Sequence, residues 1–145
     1  MTNNEYINAY KKTQQSSSVV TSSHEIVRML MKELINSMQK IVLDIQDERT
    51  RKKDQFKVDK SFEEKNAQHK SKNLSKSLSI IYGLQTSLDF DKAIEIANSL
   101  FQLYEYCRQE IIKGFSQKIE DGIVKAVEIV KQIMEGWEEI PSLDR

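Results

Sequence analysis

The sequence predicts an all-α protein: an antiparallel up-down four-helix bundle with an N-terminal arm and an extended helical hairpin between its first two helices. Three observations carry that expectation. Apolar residues recur at helical spacing in four separate stretches. Only 4 glycines and 1 proline interrupt the 145 residues. Charged residues are plentiful but balanced, 22 Lys and Arg against 22 Asp and Glu, as the polar faces of amphipathic helices require. Four such helices joined mostly by short links bury their apolar faces most simply as an up-down bundle.

Residues 1–20 read as an arm and residues 22–140 as a single helical domain. The arm's apolar content is Tyr6, Ile7, Ala9 and Tyr10, tethered by the polar run Gln14-Gln15-Ser16-Ser17-Ser18. One helical turn places Tyr6 and Tyr10 on one face, but so short an arm holds helix only when docked. A docked arm and a frayed terminus are both open readings.

The first helix opens at Ser22-Ser23-His24-Glu25, where Ser22 and Glu25 have capping-box spacing. Ile26, Val27, Leu30, Leu34, Met38, Ile41, Val42 and Ile45 then repeat at helical spacing as its core face. His24 reads as a solvated first-turn residue. The charged stretch 47–73 is too long for a structureless loop in a compact domain, so it is expected as two helical overhangs linked around 54–60, with disorder the alternative. Ser61 and Glu64 repeat the capping-box spacing, and the second helix runs from there through Leu74, Leu78, Ile81 and Leu84 toward Leu88. The basic cluster Arg49, Arg51, Lys52 and Lys53 is flanked by Asp47, Glu48 and Asp54, and reads as a solvated helix end rather than a nucleic-acid site.

Asp89 and Asp91 precede the third helix, and either carboxylate can cap it. Ala93, Ala97, Leu100, Tyr104, Cys107 and Ile111 share its apolar stripe, which Phe101, Leu103 and Ile112 widen to about half the circumference. Tyr106 falls outside that arc, among Glu95, Asn98, Gln102, Glu105 and Gln109. An arc this wide serves more than one neighbour and leaves apolar surface for a partner; a central bundle helix with one ordinary surface tyrosine is the alternative. The helix is expected to end near Gly114 through a left-handed glycine. The fourth helix carries Ile123, Ala126, Val127, Val130, Ile133, Met134 and Trp137 on one face, and Pro141 stops it.

Composition and motifs narrow the function. Net charge is zero, which gives no general attraction to nucleic acid or anionic lipid. Cys107, the only cysteine, suits a buried thiol better than a disulfide. No apolar run approaches the ~18 residues that span a bilayer, and Met1-Thr2-Asn3-Asn4-Glu5 lacks a signal pattern, so a soluble cytoplasmic protein without membrane insertion is expected. There is no phosphate loop, helical metal pair or nucleophile elbow. An enzyme, a cofactor and a metal site are therefore not expected.

Four segments resemble flagellar secretion chaperones of the FliS family. They are the tyrosine-alanine arm Tyr6-Ile7-Asn8-Ala9-Tyr10-Lys11-Lys12-Thr13, the first-helix opening Ser23-His24-Glu25-Ile26-Val27-Arg28-Met29-Leu30, the middle of the chain, and Ile133-Met134-Glu135-Gly136-Trp137. The middle match joins the run from Ile80 to Asp89 with Ile96-Ala97-Asn98-Ser99-Leu100-Phe101-Gln102-Leu103-Tyr104-Glu105-Tyr106. Order and spacing cover most of the chain. Departures stand at Ser23, where family members commonly have proline, at Ala93-Ile94, where they have a glycine pair, and at Gly114-Phe115, where they have alanine-asparagine. In family members the link between the first two helices is usually shorter than it is here.

The resemblance implies a cytoplasmic export chaperone that binds the disordered C-terminal segment of flagellin in apolar grooves, prevents premature polymerisation and keeps it secretion-competent. The flagellar export gate or other flagellar regulators stay open as further partners, and a monomer or weak homodimer as the assembly. Groove contacts are expected from Ile26, Leu30 and Leu34 facing Ala97, Leu100 and Tyr104, with Phe101 and Tyr106 nearer the rim, and from the arm residues Tyr6, Ile7 and Tyr10 acting as a pseudo-ligand. For each of these residues a core role is the alternative. The rival function is a helical structural or regulatory adaptor acting through the charged hairpin.

Overall fold

A computed structural model of the chain describes residues 23–53, 60–91 and 93–139. The arm with Tyr6, Ile7 and Tyr10, the residue Ser22, the link 54–59 and Pro141 lie outside the described residues. Four helices make up the described structure: α1 (Ser23–Lys53), α2 (Lys60–Thr86), α3 (Ile94–Gln117) and α4 (Asp121–Glu139). Successive helices pack antiparallel and α4 returns to α1, so the ring order is α1, α2, α3, α4. α1 meets α3 briefly across the diagonal, and α2 does not reach α4.

The periodic apolar faces converge in the centre of that ring. Ile26, Leu34, Met38 and Ile41 of α1, Ile81 and Leu84 of α2, Tyr104, Cys107 and Ile111 of α3, and Ile123, Ala126 and Val130 of α4 are all fully buried. Each large aliphatic side chain among them stabilises the fold by about 1.5–3 kcal/mol through burial. Met31 and Ile35 join this core from the flank of α1. Polar residues complete the α1–α2 seam. Ser37 and Ser77 are buried, the Ser77 hydroxyl donates to the Asn73 carbonyl at 2.9 Å, and the Asn73 amide donates to Asp44 Oδ2 at 3.1 Å.

Helix ends differ from the sequence expectations in instructive ways. α2 begins at Lys60, so Ser61 lies inside its first turn, and it stops at Thr86, short of Leu88. The Thr86 and Ser87 hydroxyls donate to the Gly83 and Leu84 carbonyls, satisfying acceptors that a continuing helix would use. Neither Asp89 nor Asp91 caps α3. Its N-cap is Ala93, with no side-chain cap, because the Asp89 carboxylate instead accepts the Asp91 N–H at 3.0 Å in a local turn.

Gly114 does not end α3 either. The helix continues to Gln117, and Lys118 takes the left-handed position at φ 59°, while the Ile119 N–H donates to the Gly114 carbonyl at 3.0 Å. Gly114 is buried instead where α3 meets the start of α4: a Cβ there would lie 2.6 Å from the Ile119 carbonyl oxygen and 2.6 Å from Ile123 Cδ1. Close approach, not φ, requires this glycine.

His24 is not a simple solvated residue. Its Nε2–H donates to the Trp137 carbonyl at 2.7 Å, and the Trp137 indole Nε1–H donates back to the His24 carbonyl at 2.8 Å. The two rings stack with centroids 4.9 Å apart. This clasp joins the start of α1 to the end of α4, and the ion pair of Arg28 with Glu138 lies beside it. At the opposite end of the ring, Glu48 accepts from Lys70 at 3.1 Å and Lys118 at 2.6 Å, and Arg49 pairs with Glu120.

Candidate partner-binding surface

α3 places two tyrosines two residues apart, hence about 200° apart around the helix. Tyr104 points into the core and is 1% exposed, whereas Tyr106 is 38% exposed. Beside Tyr106, a shallow groove of about 700 Å³ runs between α3 and α4, lined by Asn98, Ser99, Gln102, Leu103 and Tyr106 from α3 and by Ile129 from α4. Leu103 is exposed, and Ile129 is half-buried, packed against the core on one side and open to the groove on the other. Ile96, one turn before the groove's α3 residues, is also exposed. The wide apolar arc of α3 thus serves both the core and an open surface.

The far flank of α3 is fixed to α2. Gln85 donates from Nε2 to the Phe101 carbonyl at 3.4 Å and to Glu105 Oε2 at 3.1 Å. The Arg108 guanidinium grips both Glu105 oxygens, with Nε 3.0 Å from each. Arg108 first, and then Gln85, hold the Glu105 carboxyl at about 2, well below its ordinary range. The folded value lies below the unfolded one, so this tie stabilises the fold above the ordinary carboxylate range and weakens as pH falls from about 4.5 toward about 2. Denaturation of Glu105→Gln is accordingly expected to show a stability deficit at pH 7 that shrinks at pH 3. A deficit independent of pH would mean that the charge plays no part.

The sequence-predicted contact residues fall into distinct places. Ile26, Leu30, Leu34, Ala97 and Tyr104 are buried in the interior of the bundle, Leu100 and Phe101 are half-buried, and Tyr106 is exposed. Tyr6, Ile7 and Tyr10 belong to the arm, outside the described residues. Sequence reasoning assigned Leu103 to the apolar stripe and singled out neither Ile129 nor the polar groove residues Ser99 and Gln102 as contacts. The available signal was the excess width of the α3 arc.

Burial disfavours ionisation of the two titratable groups in the core of α3: it pushes the Cys107 thiol up to about 12 and raises the Tyr104 phenol above its ordinary range. Among the described residues no cluster of His, Cys, Asp and Glu could hold a metal ion, and no helix is long and apolar enough to cross a membrane. The basic residues Arg49 and Arg51 are tied to Glu120 and Asp47 within the same molecule.

An antiparallel four-helix bundle with a solvent-facing apolar groove defines a helical protein with a surface suited to contact with a partner. The family model for flagellar protein FliS matches residues 6–143, and the chain belongs to the FliS family. It is similar to the flagellar secretion chaperone FliS of Vibrio cholerae serotype O1, at 27% identity over 136 residues that cover 93% of this chain and 88% of the relative. No solved structure matches it. The chain is a flagellar secretion chaperone, cytoplasmic and non-enzymatic.

Proposed function

We propose that this chaperone binds the C-terminal segment of flagellin as amphipathic helical turns laid on its apolar surface. The observation that carries the reading is the groove of Leu103, Tyr106 and Ile129, left open to solvent in a member of an export-chaperone family. A disordered segment that folds on binding gives up ordering entropy but covers a large surface. Covering those turns keeps flagellin from polymerising prematurely and leaves it unfolded enough for export.

Residues 1–20 act as an arm that shields apolar surface through Tyr6, Ile7 and Tyr10 when flagellin is absent, while residues 22–140 form the body. The charged stretch 47–73 offers a separate surface for the export gate or other flagellar regulators. Ile26, Leu30, Leu34, Ala97 and Tyr104 form the core beneath this apolar surface, Tyr106 borders the α3–α4 groove, and Leu100 and Phe101 are half-buried outside its lining. Co-expression with flagellin from the same cell is expected to yield a stable soluble complex, lost when flagellin's C-terminal segment is removed. Failure to form any complex with flagellin would instead favour an adaptor acting through the charged hairpin.

A further inference from the structure

One helical glycine has a steric reason: Gly114 meets the Ile119 carbonyl and Ile123, whereas a Cβ on Gly122 would meet only the movable end of the Glu110 side chain. Gly136 has no such reason: a Cβ there would meet nothing within 4 Å among the described residues. It is exposed in a helix that alanine would favour. Nor does it lie in a fraying end, because Trp137, the next residue, is held to His24 by two hydrogen bonds. Seven residues, close to two helical turns, separate Gly136 from Ile129, so both lie on the face of α4 that borders the α3–α4 groove.

We propose that Gly136 marks the point where a bound helix crosses α4 at close range, with Leu103, Tyr106 and Ile129 taking the apolar face of that helix. The absent side chain lets two backbones approach and brings more of the bound helix into contact with the groove. Groove composition also defines the occupant. Its polar lining is Asn98, Ser99 and Gln102, and no charged side chain lines it. The matching ligand is an amphipathic helix whose apolar stripe is flanked by uncharged hydrogen-bonding residues, since a charged flank would lose hydration without gaining an opposite charge. This inference rests on the flagellin reading above and assigns one of the segment's helical turns to the α3–α4 groove.

Calorimetric titration with the purified C-terminal segment of flagellin tests it. Gly136→Ala is expected to keep full helicity and to bind more weakly than the parent, and Gly136→Leu to lose about tenfold or more in affinity, the scale of overpacking a close contact. Val124→Leu, at an exposed position on another face of α4, is expected to bind as the parent does. Parent-like binding by both Gly136 variants would overturn the inference while leaving flagellin binding in place. Absence of binding by the parent would overturn both. A flagellin segment carrying glutamates at the flanks of its apolar stripe is expected to bind more weakly, and equal affinity would remove the uncharged-flank assignment.

Discussion

Tyr104→Ala is expected to cost about 3–5 kcal/mol of unfolding free energy, the range for deleting a buried aromatic side chain. Tyr106→Ala, two residues further along the same helix, is expected to cost less than about 0.5 kcal/mol, as exposed substitutions usually do. Tyr104 is 1% exposed and belongs to the hydrophobic core cluster, so its removal leaves a cavity in the core. Tyr106 lines the groove, where truncation leaves only less surface for a partner. Urea denaturation followed by circular dichroism measures the first difference. Affinity for the flagellin C-terminal segment measures the second, and Tyr106→Ala is expected to reduce it about tenfold or more, as loss of an aromatic anchor does. A Tyr106→Ala variant with parent-like affinity would remove the groove from the binding surface whatever the stability data show.

The elements most legible in the sequence were those whose evidence lies within one helix. The stripes of α1 and α4 follow from spacing alone, and their expected members Ile26, Leu34, Met38, Ile41, Ile123, Ala126 and Val130 are fully buried. Features that depend on which helices adjoin were harder to read. His24 and Trp137 are 113 positions apart, and only the ring order, with α4 beside α1, brings them together. Asn73, at the end of the charged stretch, and Ser77, one turn beyond it, look like surface residues, yet they line the α1–α2 seam because their hydrogen bonds are met by Asp44 and by their own helix. The groove lies between these cases. Spacing revealed an α3 arc too wide for a single core, but Leu103 could be placed on its outer edge only once Ile129 was known to lie opposite.

Gly114→Ala and Gly136→Ala make the same chemical change in two helices and are expected to move stability in opposite directions. At Gly114 the added methyl group would sit 2.6 Å from a backbone oxygen, a contact no rotamer change relieves, and 2.6 Å from the tip of the fully buried Ile123. The α3–α4 junction must then open, and the loss is expected to be about 1–3 kcal/mol, the usual cost of overpacking a tight core. At Gly136 the methyl group meets none of the described residues, so replacing glycine is expected to stabilise α4 by up to about 1 kcal/mol through helix propensity alone. Thermal and urea denaturation of the two variants measured side by side check both signs. The sequence reading of Gly114 as a left-handed terminator leads to a different result, because the penalty would then come from positive φ. Lys118 already occupies that conformation with a full side chain. The distinction is testable with Ile123→Val in the Gly114→Ala background: shortening the side chain that meets the new methyl group should recover part of the lost stability if crowding is the cause, and should add to the loss if backbone strain is.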